Sequence, residues 1–239
     1  MSLTLAHRHL GRADYLSTWE LQKRLRGELL ADRDGTDDVL LTVEHPPVLT
    51  AGKRAKDANL RVGREALAAR GVEAVSIERG GDWTYHGPGQ LVAYPIIDLR
   101  RLRLGARDFV GALQDVMLAL TEHVLEQAGV GGHVRLDVRC DAPGAWFFRE
   151  DGHSAKLGAV GVHISHGATM HGLALNLDPY PWGFDWIVPC GLDGEETSSL
   201  ARLVAELGGD VDAVPSVDAA AEWLASVLPG TLEARRPRC

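Results

Sequence analysis

The chain has 239 residues, 45% of them apolar and 24% charged, with 27 glycines and a formal net charge of −8. That is enough apolar content for one large core, without the bias of collagen-like or low-complexity chains, and the acidic balance argues against generic nucleic-acid binding. Cys140, Cys190 and Cys239 are too few and too scattered for a disulfide framework and lack zinc-site spacing. The start lacks the order of a secretory signal, and no apolar run is long enough to cross a bilayer. A soluble, cytoplasmic, reduced protein without membrane contact is expected.

In chain order, Leu16, Trp19, Leu21, Leu25 and Leu29 recur at helical spacing and predict a helix over 15–30. Residues 39–43 read as a strand ended by Glu44-His45-Pro46-Pro47, where paired prolines hold the backbone extended. A charged loop over 52–63, a short helix over 64–69 and a strand over 72–77 lead into the glycine-rich segment Arg79-Gly80-Gly81. A strand-like Trp83-Thr84-Tyr85 follows, then a strand over 90–98 and a long amphipathic helix over 106–128. Residues 133–176 read as short strands near 133–138, 145–149, 156–164 and 168–177, joined by tight turns. Two helices close the chain, over about 198–207 and 216–228, with Ser198 or Ser199 and Ser216 as N-caps. The pattern is α+β: one domain over 1–239 with a mixed, largely antiparallel sheet flanked by helices.

Cys190, in Pro189-Cys190-Gly191, sits on a bend outside any repeating pattern. A free thiol has a pKa of about 8.5, so a nucleophile needs a cation or base nearby. Lys156 is the candidate, at the start of the apolar strand 157–164. As an ammonium in a half-dry cleft it favours the thiolate, and desolvated it accepts the proton itself. The bland reading is a solvated strand end. Cys140, at a strand end between Arg139 and Asp141, reads as structural.

The glycines around 80–89 fit neither a phosphate loop nor a dinucleotide fingerprint. They read as a hairpin turn or as the floor of a groove for a chain-like ligand. No serine-hydrolase elbow is present. His163, His166 and His171 do not share one strand face, which argues against a metal site, and His86 and His171 read as hydrogen-bonding pocket residues. Basic residues cluster at Lys53, Arg54, Lys56, Arg61 and Arg64, and again at Arg100, Arg101, Arg103 and Arg107. Each group is a solvated face or a docking patch for an acidic partner.

Taken together, Arg79-Gly80-Gly81, Thr84-Tyr85-His86-Gly87-Pro88-Gly89-Gln90, Lys156-Leu157-Gly158-Ala159-Val160-Gly161, His171-Gly172-Leu173-Ala174-Leu175-Asn176 and Pro189-Cys190-Gly191 resemble the lipoyl(octanoyl) transferase family. Glu44-His45-Pro46-Pro47 and Thr197-Ser198-Ser199-Leu200 fit too, so the resemblance spans about 39–200. It implies a fold similar to the catalytic domains of biotin and lipoate protein ligases. It also implies two-step acyl transfer: octanoyl-acyl carrier protein acylates Cys190, and a lysine of a lipoyl domain or of glycine cleavage H protein then takes the acyl group.

By the same resemblance, Lys156 tunes the thiol. Arg79, Gly80, Gly81, Asp82, Trp83, Thr84, Tyr85 and His86 line the substrate site with Ala159, Val160, Gly161, Gly172, Leu173 and Ala174. No cofactor, ATP or metal is required, and a monomer is expected. Trp83 stands where the family commonly has a smaller apolar residue, and His163 and His166 where it often has arginine. The alternatives are an ATP-dependent lipoate or biotin ligase, a cysteine thioesterase, and a non-catalytic acyl-binding module.

Overall fold

The computed structural model describes residue 3 and residues 5–178, 181–188 and 194–236. An extended sheet runs in the order β1 (Ala6–Arg12), β2 (Val39–Glu44), β6 (Gln90–Ile96), β10 (Ala168–Asn176), β9 (Ser154–Ser165), β8 (Gly144–Phe148) and β7 (Arg135–Asp137), with β11 (Glu196–Thr197) joined to β9 off this path. The β1–β2 and β11–β9 pairs are parallel and the other pairs of this sheet antiparallel. A smaller sheet, β4 (Glu73–Ser76), β3 (Val48–Ala51) and β5 (Trp83–His86), stands beside it.

Helices cover both faces of the large sheet. On one face, Leu25 and Leu29 of α1 (Tyr15–Ala31) pack on Leu41, Val43, Val92 and Met170. On the other, the apolar stripe of α4 (Ala106–Gln127) buries Phe109, Leu113, Val116, Met117 and Leu120 in the main core. That core also takes in Leu157, Leu173 and Leu175 of the sheet, with α5 (Leu200–Glu206) and α6 (Val217–Ala234). A third cluster holds the small sheet to the 3-10 turn Pro181–Trp186. It joins Leu49, Trp83, Tyr85 and Ile187 to Leu67 of the short helix α2 (Arg64–Ala68). The chain thereby carries β5 and residues 79–82 over the middle of β9 and β10, where the Gly80 N–H donates to the Val162 carbonyl at 3.0 Å.

The predicted α+β class, the order of the elements and the long helix match this architecture. The differences have local causes. β1 has no apolar alternation to betray it: its residues are mostly half-buried, and His7 and His9 both bond Thr42 Oγ1, at 2.8 and 2.9 Å. β3 follows directly on Pro46-Pro47, which reads as punctuation and not as a strand lead-in. The four-residue helix α3 (Leu99–Leu102) is too short to leave a periodic signal; of the two expected N-caps, Ser199 is the one that caps α5. The last helix runs past Pro229 to Ala234, because buried Leu232 anchors its final turns. β9 opens at Ser154, so Lys156 is not a strand end.

Among the described residues, no helix is long and apolar enough to cross a membrane, and no group of His, Cys, Asp and Glu is placed to hold a metal ion.

Candidate active site

Lys156 is only 6% exposed, which removes the solvated-terminus reading. Its carbonyl accepts from the Ser198 N–H at 2.9 Å, and its Nζ lies 5.6 Å from the centre of the Trp146 ring. The side chain lines a small cavity with Thr84, Gln90, Ala159, Asn176, Phe184 and Thr197. In a regular strand, residues 156 and 159 would point to opposite faces. The β8–β9 register slips by one between Ala145↔Gly158 and Trp146↔Lys156. The extra residue turns the strand and puts Lys156 on the cavity side with Ala159. Gly158 is thereby left facing the core, where a Cβ would come within 2.7 Å of Met117 Sδ.

A second cavity adjoins the first at Thr84, Ala159 and Ala174, which line both. It is a narrow cavity of about 50 Å³. At roughly 10–15 Å³ per water this is room for a few waters or a slender chain. The predicted substrate-lining residues Arg79, Gly80, Gly81, Asp82, Trp83, Thr84, His86, Ala159, Val160, Gly161, Gly172, Leu173 and Ala174 all border it. Tyr85 does not. Alternation along β5 turns Thr84 and His86 toward the slot and Tyr85 away, against Phe184 and Trp186 at ring distances of 5.4 and 6.5 Å. Trp83 sits mostly in that same third cluster, donating from Nε1 to the Lys56 carbonyl at 3.0 Å.

The floor of the slot is made of small residues paired across β9 and β10, Ala159 with Ala174 and Gly161 with Gly172. Gly161 lets Arg79 lie close: a Cβ there would meet Arg79 Cδ at 3.0 Å. Arg79 is buried and donates to the Thr50 carbonyl (2.6 Å), Thr50 Oγ1 (2.8 Å) and the Gly80 carbonyl (2.9 Å). Buried Asp82 accepts from the backbone N–H of Lys56 (3.2 Å) and of Trp83 (2.7 Å) and from Asn59 Nδ2.

Around the slot lies a set of buried polar rings that the sequence reading named only in part. His86 bonds Gln90 Oε1 through Nδ1 at 2.7 Å, and Gln90 donates to Asn176 Oδ1 at 2.8 Å. Asn176 in turn donates to the Ser198 carbonyl at 2.9 Å, so one hydrogen-bonded chain runs from the slot to the backbone beside Lys156. His45 bridges the Ala13 carbonyl and the Tyr94 hydroxyl, at 2.8 and 2.9 Å. Tyr15 stacks on His86 at 5.9 Å. Burial pushes the His86 imidazole down to about 3 and that of His45 to about 4, and it lowers His171. The same cause raises the phenols of Tyr15 and Tyr94. The rings are therefore neutral at physiological pH. Sequence reasoning missed Tyr15, His45 and Tyr94; the buried position of Tyr94 mid-strand was the available signal.

Cys190 and Cys239 lie outside the described residues. The described chain on either side of residues 189–193 is anchored at Asn59 before it and at Lys156 after it. Val188 N–H donates to the Asn59 carbonyl at 2.8 Å, and Thr197 pairs with Lys156 itself. Cys140 is exposed and free, not a packing residue. Of the two basic groups, Lys53, Arg54, Lys56, Arg61 and Arg64 are exposed. The backbone N–H groups of Lys53 and Arg54 bond the Arg79 and Gly81 carbonyls at 3.0 Å, so these two residues sit at the rim of the slot. In the second group Arg100 and Arg101 pair with buried Asp98 and Asp38, each at 3.2 Å, and are structural counterions.

The α+β fold is shared with lipoate and biotin protein ligases. The bi-partite lipoate protein ligase of Thermoplasma acidophilum superposes with a TM-score of 0.59 at 12% identity, covering 96% of this chain and 84% of that one. Biotin protein ligase from Aquifex aeolicus gives 0.51 at 10% identity, covering 97% and 72%.

The chain belongs to the lipoyl protein ligase A/B catalytic domain family, whose model matches residues 14–224. An octanoyltransferase of Desulfotalea psychrophila is 42% identical over 208 residues, covering 85% of this chain and 84% of that protein. The mitochondrial octanoyltransferase LIP2 of Arabidopsis thaliana is 39% identical over 219 residues, covering 92% and 85%.

Proposed function

We propose that this protein moves an octanoyl group from octanoyl-acyl carrier protein to a lysine of a lipoyl domain or of glycine cleavage H protein, through a thioester on Cys190. The coarse activity rests on its relatives: the chain is an acyltransferase of the octanoyltransferase kind, acting in protein lipoylation. The observation that carries the finer reading is Lys156, buried in a small cavity that adjoins the slot of small residues.

In the first step the Cys190 thiolate attacks the carrier thioester carbonyl and the carrier thiol leaves. Lys156 as an ammonium holds the thiolate and gives the leaving sulfur its proton. In the second step the acceptor lysine attacks the Cys190 thioester, and the proton lost by nitrogen returns to the sulfur by way of Lys156. The donor is already an activated acyl ester, so no nucleotide enters. The tail lies along Ala159, Gly161, Gly172 and Ala174, each buried methylene contributing about 0.8 kcal/mol. A reducing cytoplasmic setting keeps the thiol available.

Intact-mass analysis after mixing with octanoyl-carrier protein tests this reading. Wild type gains one octanoyl group, mapped to the peptide containing Cys190, and loses it when an apo lipoyl domain is added. Cys190→Ala gains none. Acylation of the alanine variant, or release of free octanoate without acceptor, contradicts the proposal; the second result would indicate a thioesterase. Octanoate-dependent ATP–pyrophosphate exchange would indicate a ligase.

A further inference from the structure

His171 borders the slot, and the acyl-transfer chemistry does not use it. It lies within β10 with a left-handed backbone, φ 58°, and is 1% exposed. A non-glycine residue rarely holds that conformation inside a strand, and such strain persists where the surroundings fix it. Here Gln22 of α1 fixes it, its Oε1 accepting from the His171 N–H at 2.9 Å. The ring borders the slot. Neither of its nitrogens has a hydrogen-bond partner among the described residues, and neither has Gln22 Nε2. Glu78 Oε2 stands 3.8 Å from His171 Nε2, and the Tyr94 ring lies edge-on at 6.4 Å. The imidazole is thus a buried polar group, with the Glu78 carboxylate beside it, next to a slot otherwise floored by alanine and glycine.

Its position along the slot follows from the register. Leaving Lys156, β9 and β10 present Ala159↔Ala174, then Gly161↔Gly172, then Val162↔His171. Three residues at about 3.3 Å each separate the first pair from the last, roughly 10 Å. An extended eight-carbon acyl chain has seven carbon–carbon bonds of about 1.5 Å, each advancing it by roughly 1.3 Å, and so spans about 9 Å. A carbonyl held beside Ala159 and Ala174, next to Lys156, puts the terminal methyl at His171.

We propose that His171, held by Gln22 and backed by Glu78, is the polar end wall of the acyl slot and sets the upper limit of chain length at eight carbons. The inference rests on the octanoyltransferase reading and deepens it. A tail two carbons longer must press methylenes against a buried polar imidazole and the Glu78 carboxylate behind it, a cost that an apolar wall would not impose. An octanoyl tail reaches the ring without being pressed against it.

The test is the ratio of decanoyl to octanoyl transfer, as kcat/KM with the two acyl-carrier proteins, in wild type, His171→Gly and His171→Asn. Both substitutions tolerate the left-handed backbone and both shorten the wall. Wild type is expected to favour octanoyl. The glycine variant should raise the decanoyl-to-octanoyl ratio about tenfold, as two further buried methylenes supply, and the asparagine variant should raise it by less. Should the glycine variant not fold, the asparagine variant carries the test. A ratio unchanged within twofold in a folded variant that still acylates Cys190 with octanoyl overturns the end wall and leaves the transferase intact. Failure of wild type to acylate Cys190 at all overturns the transferase reading first.

Discussion

The two motif regions that border the slot do opposite things. Residues 79–86 build structure: Arg79 is spent on Thr50 and Gly80, Asp82 on the backbone of Lys56 and Trp83, and Tyr85 on the cluster behind the small sheet. Residues 159–161 and 172–174 keep side chains small: Ala159 and Ala174 leave the slot open, while Gly161 and Gly172 admit Arg79 and the Ala93 carbonyl at close range. Side chains in the first region should therefore matter through stability, and those in the second through room for substrate.

The largest effect separating the regions is expected on the floor. Ala174→Leu should fill the slot where it meets the Lys156 cavity, lowering kcat/KM for octanoyl-carrier protein about a hundredfold. Unfolding free energy should change by no more than about 1 kcal/mol. A variant of normal activity would mean that the tail lies elsewhere. In the first region Asp82→Ala should cost about 1–3 kcal/mol in urea unfolding, since it strands the buried N–H donor of Trp83 and the half-buried one of Lys56. A loss well under 1 kcal/mol would show that water replaces the carboxylate.

The buried imidazoles give a pH signature. His45 and His86 have folded pKa values depressed to about 4 and about 3 from an ordinary 6.5. Below about pH 6.5 the unfolded chain binds protons that the folded chain refuses. Each histidine then withdraws up to about 1.4 kcal/mol of stability per pH unit, down to its folded pKa. Urea midpoints should fall as pH drops from about 6.5 to about 5, and more gently in His45→Gln. Parallel curves would argue that His45 is not buried neutral. The smallest effect concerns docking. Reversing Lys53 and Arg54 at the rim should raise the apparent KM for carrier protein several-fold at low salt and less at high salt. A salt-independent KM would discard the rim as a docking surface.

Much of this was legible in the sequence because it obeys simple periods. The 3.6-residue stripe of α4 and the short alternating strands between 135 and 176 need no tertiary information. Period two along β5 also carries the assignment of Tyr85 to the far side, a signal that the motif reading passed over. What was not legible depends on partners. The register slip opposite Ala145 and Trp146 puts Lys156 on the slot face, and no local pattern announces a bulge. β1 is a strand because β2 offers it an edge, and its histidines find Thr42 only in three dimensions. The basic residues at 100 and 101 look like a patch until Asp98 and Asp38 are seen beneath them.

The proposed chemistry turns on a sulfur at residue 190 sharing the cavity of a buried amine at residue 156. The rate of iodoacetamide alkylation at Cys190, followed by peptide mass against pH in wild type and Lys156→Met, measures that directly. A wild-type thiol titrating well below the ordinary value of about 8.5, and rising by about one unit or more in the variant, is the predicted result. The same titration in both proteins would contradict it.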